Sequence, residues 1–167
     1  MSFSFLPKII VKSITELSPS FLKERGVSLL MLDFDNTIVP YTTSQPTVLM
    51  EDWLKAMVQS EIQICVVSNS KRDRVKIFCD KYDIPCITHA KKPFSKGINE
   101  CLRKFNIAPE CCALAGDQIY TDTLGANGTG VTSILVKAID NHNIWLKLRH
   151  VAEMPFIWAA WKRRVKL

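Results

Sequence analysis

Acids, a hydroxyl and a lysine recur at one kind of place in this chain, immediately after short apolar runs. The run at 29–32 leads into Asp33-Phe34-Asp35-Asn36-Thr37, and the run at 64–67 into Ser68-Asn69-Ser70. A shorter run is followed by Lys91-Lys92-Pro93. The run at 113–115 ends in Gly116-Asp117, with Asp122 five residues further on. Each piece alone has a plainer reading: a Ser-Asn or an Asp after a strand is often a helix cap, and Lys-Pro is common in loops. Together and in this order they specify phosphoryl chemistry.

Acids at i and i+2 on an extended backbone point the same way, so Asp33 and Asp35 can address one phosphorus centre. Asp33 suits nucleophilic attack through an aspartyl-phosphate. Asp35 suits protonation of the leaving alkoxide, then deprotonation of the attacking water. A carboxylate facing a phosphate dianion needs positive charge between them. Mg²⁺ meets that need, held by one or two carboxylates together with phosphate oxygens and water. Asp33, Asp117 and the Asp35 position, through its backbone carbonyl, form the expected metal set. Asp122 could bind through water or orient Lys92. Ser68, with Asn69 beside it, and Lys92 are the expected phosphate-binding groups.

The elements that must position these residues follow from periodicity. Runs at 28–34, 62–69, 111–116 and 133–136, with a shorter one at 85–89, are continuously apolar, as strands covered on both faces are. Between them, segments of helical period run over 46–59, 71–82 and 93–105, and Ser18-Pro19 opens a short helix closed by Gly26. Strand and helix alternating at this pace predict βαβ units in a three-layer, doubly wound parallel sheet, with the site at the strands' carboxyl ends. Residues 125–130 partly match a dinucleotide-binding glycine pattern. They follow a helix-like acidic segment and not a strand, so a tight turn is the expectation. His142 and His150 have no partner at metal or base spacing.

At 167 residues, with 47% hydrophobic and 23% charged residues, one globular domain over 1–167 is expected. Of the net charge of +6, most sits after position 136, where seven Lys/Arg face two acids. The basic surface is therefore local, and no nucleic-acid partner is expected. The six cysteines form no C-x-x-C pair and read as small buried hydrophobes in a reducing compartment. With no signal peptide and no apolar run beyond six residues, the expected place is the cytoplasm, with peripheral contact at the inner membrane face.

The ordered set D-x-D-x-T, S, K and G-D-x-x-x-x-D resembles the haloacid dehalogenase (HAD) superfamily over about 27–136. The resemblance implies a Rossmann-like core, an aspartate nucleophile and Mg²⁺, with Thr37 and Asp122 in support. The acid at position 35 resembles the phosphatase branch. Only eleven residues separate Thr37 from the helix that includes Leu49, and three lie between Thr88 and Lys92, so neither cap-insertion point has room for a cap domain. The opening stretch, the I-V-P after the first motif, A-K-K-P and G-D-Q-I-Y-T-D-T-L-G-A-N-G-T-G look like the YqeG-type family of subclass IIIA. Eukaryotic relatives of that family are phosphatidylglycerophosphate phosphatases, so the resemblance implies a lipid head group as substrate.

Alternatives are a capless phosphatase of a phosphoprotein, a nucleic-acid 3′-phosphate or a sugar phosphate, or a basic binding module. A receiver-type phosphoacceptor is a further one, disfavoured because its acidic pair is adjacent and its acceptor stands alone. In the tail, about 140–167, Met154, Ile157, Trp158, Trp161 and Val165 make an apolar stripe beside Lys162, Arg163, Arg164 and Lys166. Pro155 suits the first turn of such a helix. The pattern fits a helix lying on an anionic membrane or docked on the domain.

Overall fold

The computed structural model describes residues 4–71, 73–140, 154–156, 158 and 159. Most of the C-terminal stripe, and His142 and His150, lie outside the described residues.

The expected strands form as β2 (Leu29–Leu32), β3 (Gln63–Val67), β4 (Cys86–Ile87), β5 (Cys112–Gly116) and β6 (Thr132–Val136). A further strand, β1 (Ile9–Val11), pairs in parallel with β6 at one edge. The sheet is parallel throughout, in the order β1-β6-β5-β2-β3-β4. From β2 the chain winds outward through β3 and β4, then returns to the other side for β5 and β6. The switch point therefore falls between β2 and β5, where a crevice opens at the strands' carboxyl ends.

Helices flank the sheet, namely α1 (Pro19–Lys23), α2 (Val48–Val58), α3 (Arg74–Lys81), α4 (Ser95–Phe105) and α5 (Leu124–Thr129). Alternate strand residues supply two separate cores, as the period of two requires. Leu30, Leu32, Ile64 and Val66 pack with Trp53, Leu54 and Met57 of α2 and Val75 and Phe78 of α3. Leu29, Met31, Cys65 and Val67 pack on the opposite face with Ile98, Cys101 and Leu102 of α4 and Ala126 of α5. The buried Trp53 indole donates to Leu17 O at 2.7 Å, so the bulkiest ring brings no unsatisfied donor into the core.

The glycine-rich stretch at 125–130 is a helix and not only a turn. It forms most of α5, and Gly130 (φ 82°) supplies the left-handed cap that ends it. Gly125 faces Pro93 and Ile98 so closely that an added Cβ would come within 3.1–3.4 Å of them, which explains a helix built from poor helix formers. Cys111 is exposed and Cys86 half-buried, and the other four cysteines are buried as expected; all six are free. Among the described residues no helix is long and apolar enough to cross a membrane.

Candidate active site

Asp33 follows β2 directly, and its amide donates to Ala115 O at 2.9 Å, fastening the first motif to β5. Asn36 then takes the left-handed conformation (φ 62°), which a short polar side chain tolerates. Its side-chain amide donates to Asp140 O at 2.8 Å, tying the turn to the segment after β6. Thr37 is buried beneath this turn.

After β3, Ser68 is buried and its Oγ accepts from Ser70 N at 3.0 Å. Asn69 lies with the Lys92 backbone: Nδ2 donates to Lys92 O at 2.9 Å, and Oδ1 accepts from Lys92 N at 2.7 Å. The expected phosphate contact of Asn69 is therefore left to its backbone N–H. Its carboxamide is engaged in holding the lysine's main chain. The two neighbouring lysines separate clearly, since Lys91 is exposed at φ 58° while Lys92 is 4% exposed. Gly97 lets α4 press on this loop, because a Cβ there would overlap the Ala90 backbone at 2.5 Å.

Lys92 Nζ lies 2.7 Å from Asp33 Oδ1 and 2.7 Å from Asp122 Oδ1. Asp122 is delivered by a π-helical turn (Ile119–Thr123) and accepts from Gln118 N at 3.1 Å. Gly116 makes room for it, since any Cβ would fall 2.2 Å from its carboxylate. Asp33, Asp117 and Asp122 are all buried, and each offers an oxygen within 4.8 Å of the others. Asp33 and Asp122 therefore share one buried ammonium, with Asp117 close by. Burial above all, with Asp122 adding to it and Lys92 opposing it, pushes the Asp33 carboxyl up to about 7. Asp33 and Asp122 overcome the burial of Lys92 and hold its ammonium in the charged form.

An all-oxygen, anionic, buried donor set fits a hard divalent cation. Asp35, expected to offer the metal its backbone carbonyl, has its side chain outside this group. It pairs instead with Arg74. Arg74 was missed in the sequence. Its one local signal is a cation in the first turn of a helix, where the dipole disfavours positive charge. The guanidinium also donates to Tyr41 O at 3.0 Å and stacks 5.1 Å from the centre of the Phe34 ring.

The family described as mitochondrial PGP phosphatase matches residues 2–139. Probable phosphatase YqeG of Bacillus subtilis is 39% identical over 132 residues, covering 79% of this chain and 77% of its own. Among solved structures, a hypothetical protein from Xanthomonas campestris superposes with TM-score 0.58 at 13% identity, covering 83% of this chain and 79% of that one. A cobalt-bound deoxy-D-mannose-octulosonate 8-phosphate phosphatase from Haemophilus influenzae gives 0.54 at 11% identity, covering 84% and 92%.

Proposed function

The chain belongs to the mitochondrial PGP phosphatase family, and from that premise we propose a Mg²⁺-dependent phosphomonoesterase that works through an aspartyl-phosphate on Asp33 and acts on the phosphatidylglycerophosphate head group. The observation that carries the mechanism is the Lys92 ammonium bridging Asp33 and Asp122, with Asp117 completing a buried carboxylate group. Asp33 attacks phosphorus as the bond to the alcohol breaks, and the departing oxygen takes a proton from Asp35. In the second half Asp35 takes a proton from water. The water oxygen attacks the same phosphorus, and the bond to Asp33 breaks to release phosphate and restore the carboxylate.

Ser68 donates to one phosphoryl oxygen, and Lys92 neutralises charge spreading over another. Asn69 keeps Lys92 in place, and Asp122 holds its ammonium. Asp33, Asp117 and Asp122, with a backbone carbonyl at Asp35, would hold the Mg²⁺; when bound it offsets the repulsion between carboxylate and phosphate. A phosphatase of similar fold has a cobalt-bound form.

The decisive experiment is turnover of para-nitrophenyl phosphate with Mg²⁺ or with excess chelator. It is followed by a screen of phosphatidylglycerophosphate in mixed micelles, a phosphopeptide, a 3′-phosphorylated oligonucleotide and a sugar phosphate. Metal-dependent turnover with the lipid preferred supports the reading; full activity in chelator sinks it.

A lipid substrate also gives the tail a role. Phe156 packs 5.1 Å from Phe5 and 6.4 Å from Tyr120, which lies three residues past Asp117. Met154 and Trp158 remain exposed beside it. In this reading the tail meets an anionic leaflet next to the open crevice. The full chain should co-sediment with anionic vesicles at low salt and lose them at high salt, and a chain ending at Ala152 should not bind. Equal binding by both removes the tail from the proposal.

A further inference from the structure

Arg74 stands where stability alone gives little reason for a cation. It occupies the first turn of α3 against the helix dipole, and its side chain is 15% exposed, so much of its hydration is lost. A partly buried ion pair is often no more stabilising than apolar packing of the same shape. Yet the guanidinium is firmly placed. Tyr41 O and Pro40 O accept from its two terminal nitrogens, at 3.0 and 3.4 Å, and the Phe34 ring lies beneath it. These supports come from the backbone and an aromatic face, so its position does not depend on Asp35. A guanidinium has five N–H groups. The three hydrogen bonds formed here leave two over, and the buried Nε–H has no partner among the described residues.

The two cations held in this site divide its ends between them. Lys92 is committed to Asp33 and Asp122, at the transferred phosphoryl group. Arg74 is committed to Asp35, which in the mechanism above faces the departing alcohol. Given that mechanism, on which this step rests, we infer that Arg74 determines specificity by recognising a second anionic group carried on the leaving alcohol. The substrates so selected are phosphomonoesters whose alcohol bears a phosphodiester or a carboxylate, both of which a guanidinium binds well. An anion on the alcohol also competes with Asp35 Oδ1 for the guanidinium's donors, without moving it, and frees that oxygen for the departing one. A neutral alcohol leaves the pair closed. The preference therefore belongs in kcat as well as in KM.

The test uses the full chain with Mg²⁺ and two water-soluble substrates that need no membrane. One is glycerol 3-phosphate; the other is the same molecule carrying a methyl phosphodiester on its far hydroxyl. The wild-type kcat/KM ratio should favour the diester-bearing compound at least tenfold, and Arg74→Gln should bring the ratio to within about threefold of one. Arg74→Lys, which keeps charge but loses the planar donors, should fall between. The ratio is the readout because a merely structural loss lowers both rates together. Glycerol carrying only the methyl phosphodiester should also inhibit the wild-type enzyme competitively, where plain glycerol does not, and this needs no folded variant. A wild-type ratio near one, or a ratio unchanged by Arg74→Gln, overturns the inference while the phosphatase reading stands. No turnover of either compound or of para-nitrophenyl phosphate overturns the phosphatase reading itself.

Discussion

Asp33 lies in a buried pocket, sharing one ammonium with Asp122 and close to Asp117, whereas Asp35, two residues on, meets a guanidinium braced by backbone carbonyls at a place still 15% open. The side chains are identical, so the difference lies wholly in the surroundings. Around Asp33, buried carboxylates crowd together beside the Lys92 ammonium, an anionic setting that suits a divalent cation. Around Asp35, the charge is balanced and solvent is within reach. The first environment suits attack on phosphorus beside a bound metal, the second proton traffic with an alcohol or water. In the proposed mechanism one strand end thus serves both halves of a phosphoryl transfer.

Exchanging each carboxylate for its isosteric amide separates the two roles. Asp33→Asn should leave no measurable turnover of para-nitrophenyl phosphate while the protein melts as a folded domain; activity within a few-fold of wild type would end the nucleophile assignment. Asp35→Asn should lose on the order of 10²–10⁴ in rate. It should also accumulate acid-stable phosphoenzyme, since the second step then has no base. The absence of phosphoenzyme with equal loss of both steps would place Asp35 outside proton transfer.

The shared lysine comes next in size. Lys92→Met removes the charge facing the phosphoryl oxygens and should cost roughly 10²–10³ in kcat, by analogy with the loss of an oxyanion donor. It also leaves Asp33 and Asp122 buried without a counterion, a loss of about 3–5 kcal/mol of stability in metal-free protein. Lys91→Ala should change neither by more than about twofold, because that side chain points to solvent. Equal effects from the two would dissolve the contrast between the buried pocket and its rim.

Much of this site was legible because its residues follow strands that are apolar on both faces. β2, β3, β5 and β6 are covered by helices on each side, so their continuous apolar runs announce them. β1 was not legible: three residues at an edge, flanked by Lys8 and Lys12, present no run long enough to read. Nor was α5, whose helix is sustained by packing on Pro93 and Ile98 and not by propensity. Asn69 and Arg74 make their side-chain contacts with partners 23 and 39 residues away, and spacing within a motif carries no such information. Nor does the sequence show that Lys91 lies exposed with a left-handed backbone while Lys92 is buried.

The carboxylate pocket should show itself in metal dependence. Asp117→Ala should raise the Mg²⁺ concentration needed for half-maximal activity by at least tenfold. It should also abolish the rise in melting temperature that Mg²⁺ gives the wild-type protein, a readout independent of turnover. Ca²⁺ should inhibit, because its larger and looser shell misplaces the phosphoryl group. A Mg²⁺-dependent shift unaltered in Asp117→Ala would mean that the ion binds elsewhere.

The smallest effect, and the most specific to Asp33, concerns pH and stability in chelator. In the folded chain its carboxyl is pushed from an ordinary 3.8 up to about 7, chiefly by burial. Between those values the folded state keeps a proton that the unfolded chain has released. Stability from this group is therefore fully present below about pH 4, declines as pH rises, and is gone once pH passes 7. Across pH 5 to 8 the decline should be about 2–3 kcal/mol, or roughly 5–10 °C in melting temperature for a chain of this size. Asp33→Asn carries no titrating group at that position, so its melting temperature should fall less over the same interval and should exceed the wild-type value at pH 8. Saturating Mg²⁺ should flatten the wild-type slope by supplying further positive charge. Parallel wild-type and variant curves in chelator would show that Asp33 is already balanced by Lys92 alone. The pocket would then differ from the Asp35 flank in burial and not in charge.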